Sequence, residues 1–281
     1  MSALRKAWGN SKLDVMVIDM EDAVGGTMEA KEAGRATFVQ FMNEIGQTTD
    51  RKSDVNPNIV VRINCPHTTP FGSDDLEVVR KMSHVDAILL PKTESVGNVL
   101  SVAQGVDKPL WCMIETPAGV QSADRLAALD AVDCLVFGSN DLTKELKAVL
   151  EPLERQPLLY AMGRTILAAR AADKLVIDGV YMDLTTDGEP GLESTSKQGR
   201  ELGFDGKSLI HPKQLDIVNK AYSPSMEEIN TARKIIHAYN DATAQGKGVC
   251  VVDGKLVEAL HVSAAKELLL KVRSIESRRS G

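Results

Sequence analysis

The chain has 281 residues, 43% of them hydrophobic and 26% charged, and carries a formal net charge of -6. That content suits one large α/β domain or two smaller ones, and no apolar run approaches the ~20 residues needed to cross a bilayer. Aromatics make up 4% and the positive charges are scattered, so no basic stripe with stacking rings points to nucleic acid.

The first residues, Met1-Ser-Ala-Leu-Arg-Lys6, lack the apolar stretch of a secretory signal. A cytoplasmic protein is expected, or one of the mitochondrial matrix if residues precede Met1. Cys65, Cys112, Cys134 and Cys250 form no C-x-x-C pair, and Cys112 and Cys134 sit inside apolar runs, which predicts neither disulfides nor a thiolate metal site.

A short helix is expected over 4–12, followed by a first strand over 14–19. The strand opens into Met20-Glu21-Asp22-Ala-Val-Gly-Gly26, a loop that, counting Asp19, brings three acids together. A helix follows over 28–43 with Ala36, Val39 and Met42 as its apolar face; its Lys31 and Arg35 are read as part of a solvated face, in preference to contacts with a phosphate. A polar loop is expected over 47–58. The second strand, Asn58 to Asn64, offers Arg62 and Asn64 near its end. After a helix over 74–82, a third strand over 86–90 finishes at Pro91-Lys92-Thr93-Glu94.

Leu110-Trp-Cys-Met-Ile114 has no room for a solvated face, so it reads as a strand buried on both sides, stopping at Glu115 and turn chemistry in Thr-Pro-Ala-Gly119. Asp133-Cys-Leu-Val-Phe137 repeats the pattern and ends in Gly138-Ser-Asn-Asp141. Glu115 and Asp141 therefore stand just past two successive strands. Such acids either cap the following helices or share one hard cation. Arg62 is open to two readings as well: it pairs with the acids of the first loop, or it offers a fork to a planar carboxylate.

Leu159, Met162, Ile166 and Ala169 make an amphipathic stripe, Leu175 to Asp178 a sixth strand, 191–202 a helix and 204–211 a seventh strand. Ser225 with Glu228 is a capping-box signature, and Asp253-Gly254 is a hairpin turn between two short strands. The apolar Val249, Val251, Leu256 and Val257 of that hairpin are expected to be buried. A last helix is expected over 263–274.

Strand and helix alternate, which predicts a parallel sheet with its polar residues at the carboxyl ends, as in a (β/α) barrel. An open doubly wound sheet would alternate too. Gly25-Gly26 does not supply its G-x-G-x-x-G fingerprint.

Ile18-Asp-Met-Glu-Asp22-Ala-Val, Val61-Arg62-Ile-Asn64, Leu90-Pro-Lys92-Thr-Glu94, Ile114-Glu115-Thr-Pro-Ala-Gly-Val120, Phe137-Gly-Ser-Asn140-Asp141-Leu and Gly203-Phe-Asp-Gly-Lys-Ser-Leu-Ile210-His211-Pro-Lys-Gln214 come in the right order over nearly the whole chain. Together they resemble the citrate lyase β-subunit-like family of the HpcH/HpaI aldolase superfamily, to which malyl-CoA and citramalyl-CoA lyases belong. The resemblance implies a (β/α)8 TIM barrel over 1–241 and a C-terminal hairpin-helix lid or oligomerisation segment over 242–281. It further implies Mg²⁺, homotrimers or multiples of them, and reversible cleavage of a 3-hydroxyacyl-CoA into an acyl-CoA and a 2-oxo acid.

Under it, Glu115 and Asp141 hold the metal and Arg62 the oxo acid. Asp19, Glu21 and Asp22 stand behind the metal. Lys92, Asn140, Ile210 and His211 face the substrate or CoA, with Ile210 and His211 forming a pocket wall. Glu258 takes the place of the acid, usually Asp, that a lid brings to a neighbouring subunit's site. Family members usually begin with a further strand resembling Leu-Phe-Val-Pro-Gly, so the barrel is expected to lack its usual first strand. Rival activities are a malyl-CoA-type thioesterase on the same scaffold, a partner-dependent or non-catalytic citrate lyase β-like subunit, and an aldolase acting without CoA.

Overall fold

The computed structural model describes residues 1–48, 56–150 and 155–280. Seven strands, β1 (Val15–Asp19), β2 (Asn58–Arg62), β3 (Ala87–Leu90), β4 (Leu110–Ile114), β5 (Val132–Phe137), β6 (Leu175–Asp178) and β7 (Gly206–Lys207), lie side by side in chain order. All six pairings are parallel. A doubly wound sheet reverses its order at a switch point. Here every step goes the same way and the sheet curls as part of a barrel, the TIM-barrel-like architecture expected from the sequence. β1 and β7 are its edges.

A short helix, α1 (Ser2–Trp8), precedes β1, and helices alternate with the strands: α2 (Met28–Thr48), α3 (Phe71–Val79), α4 (Val96–Ala103), α5 (Pro117–Ala127), α6 (Ser139–Glu145), α7 (Leu159–Ala171), α8 (Glu189–Leu202) and α9 (Leu215–Tyr222). One face of the sheet, with Met16, Ile18, Ile59, Val61, Ile88, Leu110, Ile114, Leu135, Phe137 and Val176, joins Phe38, Phe41, Leu126 and Met162 of the helices in the main core. The other face packs Val60, Ala87, Leu89, Cys134 and Val136 against the partly buried Val15, Trp111, Met113 and Ile177. Burial on both faces explains the unbroken apolar runs.

Several details differ from the expectation. The buried face of α2 is Lys31, Arg35, Phe38, Met42 and Ile45, spaced 4, 3, 4 and 3, with Phe41 buried beside them, while Ala36 is exposed. Lys31 and Arg35 are therefore buried cations, not solvated ones. The turn chemistry after β4 is the N-terminus of α5: Thr116 Oγ1 accepts the Gly119 N–H at 3.0 Å and Pro117 occupies the first turn. α4, α6 and α9, each of 7 or 8 residues, are likewise helices to which the sequence reading gave no bounds. β7 is two residues long instead of eight, and beyond it the Gln214 side chain takes the Ile210 N–H at 3.1 Å. The expected loop over 47–58 lies mostly outside the described residues.

The chain divides into two compact units, Met1–Tyr222 and Ser223–Gly281. The expected boundary at 241/242 falls inside α10 (Met226–Ala244), which packs on β8 (Cys250–Val252) and α11 (Ala259–Ser280) and so belongs with them. The capping box is present, with Glu228 N–H to Ser225 Oγ at 3.1 Å and Ser225 N–H to Glu228 Oε2 at 2.7 Å. β8 pairs antiparallel with β9 (Lys255–Val257) across Asp253 (φ 49°) and Gly254 (φ 78°), the two positive φ values of a tight hairpin turn. Of its apolar residues only Val257 is buried; Val249, Val251 and Leu256 are exposed. Among the described residues no helix is long and apolar enough to cross a membrane.

Candidate active site

Because the strands are parallel, their carboxyl ends share one edge. On that edge stand Asp19, last of β1, Arg62, last of β2, Lys92 two residues beyond β3, Glu115 one beyond β4, and Asp141 in the first turn of α6 after β5. Asp19 and Arg62 are register partners. Arg62 grips Asp19 in a fork, Nε to Oδ1 at 2.8 Å and Nη2 to Oδ2 at 2.7 Å. Nη2 also reaches Asp22 Oδ2 at 3.3 Å, and Nη1 lies 2.9 Å from Glu21 Oε2.

The Asp19 carboxylate takes two further N–H groups, from Glu21 at 2.9 Å and Ala23 at 3.0 Å. Burial pushes Asp19 up, but the Arg62 hydrogen bonds and charge, with those backbone donors, hold it below the ordinary carboxylate value. For Arg62, burial opposes the charge, and Asp19, Glu21 and Asp22 outweigh it, raising its pKa. Of the two readings of Arg62, the pairing with the acids of the first loop is the one observed. The acids orient the guanidinium, and Nη1, ion-paired with Glu21, also makes a weak 3.8 Å hydrogen bond to Met113 Sδ.

Glu115 is 1% exposed. Its Oε1 accepts the Lys92 N–H at 2.8 Å. Burial pushes its carboxyl up to about 7; that N–H and Arg62 lower it, and the charges of Glu21 and Asp141 raise it further. Gly138 makes room for it: a side-chain carbon there would collide with Glu115 Cβ and come within 2.6 Å of Oε2. Lys92 presents its N–H from a left-handed backbone, φ 47°, unusual for a residue with a side chain. Its ammonium lies 3.3 Å from Glu21 Oε1. Burial lowers the Lys92 pKa, but Glu21, Glu115 and Asp141 outweigh it and leave it raised. Glu21 is raised chiefly by burial, against Arg62 and Lys92.

A buried carboxylate held up near neutrality beside like charges is short of positive charge. Glu115 and Asp141 are two carboxylates that could hold a Mg²⁺-type ion, which takes one or two and fills its other positions with water and substrate oxygens. Among the described residues no group of three or more His, Cys, Asp or Glu that could hold a metal ion is found. Asp19 is fully engaged by Arg62 and by backbone donors.

Asn140 is exposed beside Asp141, and Glu94 is exposed and outside the cluster. Ile210 is exposed past β7, and His211 Nδ1 accepts the Lys213 N–H at 3.1 Å, capping the turn that follows. Gln214 ties this loop to the one after β6, donating to Tyr181 O at 2.9 Å. Glu258 belongs to the second unit, exposed ahead of α11, with its N–H donated to His261 Nδ1 at 3.1 Å.

Two groups escaped the sequence reading. Gly138 left no signal beyond a glycine in a turn. Asp178, last of β6, is fully buried against α8, taking Arg155 Nη1 at 2.6 and 2.9 Å and Lys207 Nζ at 2.9 Å. This network fastens the two-residue β7 from behind the sheet.

A TIM-barrel-like sheet whose carboxyl edge carries an acid-oriented arginine and a buried carboxylate defines a class of protein: an α/β barrel with its charged residues gathered at the carboxyl ends of its strands. Residues 2–212 match the HpcH/HpaI aldolase/citrate lyase family, and the chain belongs to that family. It is 39% identical over 276 residues to a (3S)-malyl-CoA thioesterase of Cereibacter sphaeroides, covering 97% of this chain and 91% of that protein. It is 32% identical over 280 residues to the citrate lyase β subunit of Leuconostoc mesenteroides, covering 95% and 88%. Among solved structures it resembles CitE of Mycobacterium tuberculosis in complex with magnesium, acetoacetate and coenzyme A, with a TM-score of 0.76, 26% identity, and 93% and 90% of the two chains covered.

Proposed function

We propose that the chain acts with Mg²⁺ on a carboxylate-bearing 3-hydroxyacyl-CoA of the malyl-CoA or citramalyl-CoA kind, breaking its carbon-carbon bond reversibly to an acyl-CoA and a 2-oxo acid. One observation carries this reading: Arg62, oriented by three acids, shares an edge with the buried Glu115 and with Asp141. Glu115 and Asp141 would hold Mg²⁺, the ion bound in the Mycobacterium tuberculosis structure. Once bound, the ion supplies Lewis-acid polarisation of the oxo acid's oxygens.

Arg62 would stabilise the oxygen on which charge develops as the hydroxyl proton leaves. As the C–O bond becomes a carbonyl, the electron pair of the breaking carbon-carbon bond stays on the acyl α-carbon, and the resulting enolate is protonated. In a homotrimer, Glu258 of a neighbouring subunit would be the acid or base at that carbon. The exposed Val249, Val251 and Leu256 near it are apolar surface that such a contact would cover. Lys92, Asn140, Ile210 and His211 would line the substrate and CoA side.

A second reading, hydrolysis of the thioester on the same edge, is supported by the 39% identity to (3S)-malyl-CoA thioesterases. One assay separates the two: purified protein with Mg²⁺ and (3S)-malyl-CoA, following glyoxylate and free thiol together. Carbon-carbon cleavage releases glyoxylate and acetyl-CoA with no free thiol; hydrolysis releases free thiol and malate with no glyoxylate. Neither product from malyl-CoA or citramalyl-CoA would sink both readings.

A further inference from the structure

α2 sends two cations inward behind the active edge. Lys31 and Arg35 are 5% and 9% exposed. Lys31 Nζ donates to the main-chain carbonyls of Met20 at 2.9 Å and Glu21 at 2.6 Å, and lies 5.9 Å from the centroid of the Phe71 ring. Met20 O also accepts from Asn64 Nδ2 at 2.9 Å. Asn64 is held in turn by Asp75 Oδ2, through its N–H at 2.9 Å and its side-chain amide at 2.6 Å, and Asp75 Oδ1 takes Arg35 Nη1 at 3.0 Å. Arg35, Asp75, Asn64 and Lys31 thus form a buried polar chain that converges on the carbonyls of residues 20 and 21.

Stability alone does not call for such a chain, since an apolar replacement of similar volume at a buried ionic group is often neutral or stabilising. What it does is fix one loop. That loop carries Glu21, whose carboxylate lies between two cations, with Arg62 Nη1 2.9 Å from Oε2 and Lys92 Nζ 3.3 Å from Oε1. The Oε2 contact with Arg62 lacks hydrogen-bond geometry. Two ion pairs hold its tip, but where that tip can stand between them depends on its backbone, and the backbone is pinned by Lys31.

We propose that Lys31 is a positioning residue: through the carbonyls of Met20 and Glu21 it aims the Glu21 carboxylate between Arg62 and Lys92, and so sets the guanidinium for an incoming 2-oxo acid. The inference rests on the oxo-acid reading above.

The test is Lys31→Met, an unbranched side chain that fills the same space without donors. Pyruvate affinity in the presence of Mg²⁺, affinity for Mg²⁺ alone, and Tm are measured on the full chain. Expected is a folded variant whose pyruvate affinity falls about tenfold while its Mg²⁺ affinity changes by less than about threefold. Asp75→Asn, which weakens the far end of the chain, shifts pyruvate affinity the same way by a smaller factor, and decides the matter if Lys31→Met does not fold. Unchanged pyruvate affinity in the folded variant overturns the inference. So does an equal loss for pyruvate and Mg²⁺, which is what a merely structural residue gives. If the unsubstituted protein binds no pyruvate, the oxo-acid reading falls first and the inference with it.

Discussion

Replacing Glu115 by Gln removes a charge that the metal-free protein is ill placed to hold, while keeping an oxygen for the Lys92 N–H. Glu115 titrates near 4.5 in an unfolded chain and near 7 in the folded one, chiefly because it is buried. A raised carboxylate means the folded state binds the proton more tightly. As pH rises from 4.5 to 7 the unfolded chain ionises first, and folding stability falls by about 1.4 kcal/mol per pH unit, roughly 3 kcal/mol in all. The Gln variant escapes that loss. In EDTA it should match the parent at pH 4 and exceed it by roughly 3 kcal/mol at pH 8, or roughly 5–10 °C in Tm. Mg²⁺ should reverse the order, since it stabilises by binding only a protein with both carboxylates, and more at pH 8 than at pH 5. Thermal melts of both proteins at several pH values, with EDTA and with Mg²⁺, give the result directly. A constant offset across pH, or a variant less stable than the parent in EDTA at pH 8, refutes the argument that Glu115 is a buried, frustrated charge.

Four further outcomes can be checked with ordinary variants. Arg62→Lys should lower kcat/KM by about a hundredfold or more, because an ammonium cannot reproduce the fork on Asp19 while facing an oxo acid; near-normal kinetics returns Arg62 to a structural role. Gly138→Ala should lose Mg²⁺ affinity measured by calorimetry, since the new carbon displaces Glu115, and unchanged affinity contradicts the close fit. Lys92→Gly should be more stable than Lys92→Ala by about 1 kcal/mol in urea, because glycine accepts φ 47° freely, yet both should weaken pyruvate binding alike through loss of the ammonium beside Glu21. Glu258→Gln and Glu115→Ala, each inactive alone, should recover partial turnover when mixed under conditions of subunit exchange; no recovery counts against a lid acid acting in trans.

The strands and the residues at their ends were legible because both report one physical fact: a strand buried on two faces is apolar throughout, so the first charged residue marks where it emerges. Asp19, Arg62, Glu115 and Asp141 all follow that rule. The helices were harder to phase. In α2 the apolar residues Ala36, Val39 and Met42 suggested one face, whereas Lys31, Arg35, Phe38 and Met42 make the buried one. Phe38 carries more apolar area than Ala36 and should have set the phase; what hid it was the expectation that cations face water, which fails where carbonyls and a carboxylate receive them. The short helices α4, α5 and α6 were missed for a different reason. Each spans only two or three turns, too few for a period to be seen, and their N-caps look like turns.

What no pattern in the sequence could supply was register. Arg62 lies 43 residues from Asp19, and the two meet because β1 and β2 pair with Val15 opposite Asn58, which brings Asp19 opposite Arg62 at the strand ends. Side chains alternate along a strand, so a slip of β2 by one residue would turn Arg62 toward the helix-covered face, leave a cation in the main core, and bring Val61 to the edge instead. The register is held from both sides. Val61 and Ile59 are fully buried in the outer core, and Val60 is fully buried in the inner cluster. A slip would also sever the Met20 N–H from Arg62 O, a 2.9 Å bond that starts the acidic loop directly beside the guanidinium. The apolar packing of three ordinary residues in β2 therefore determines which face its one cation presents. The acids of the first loop can orient Arg62 only because that packing has already brought it to them.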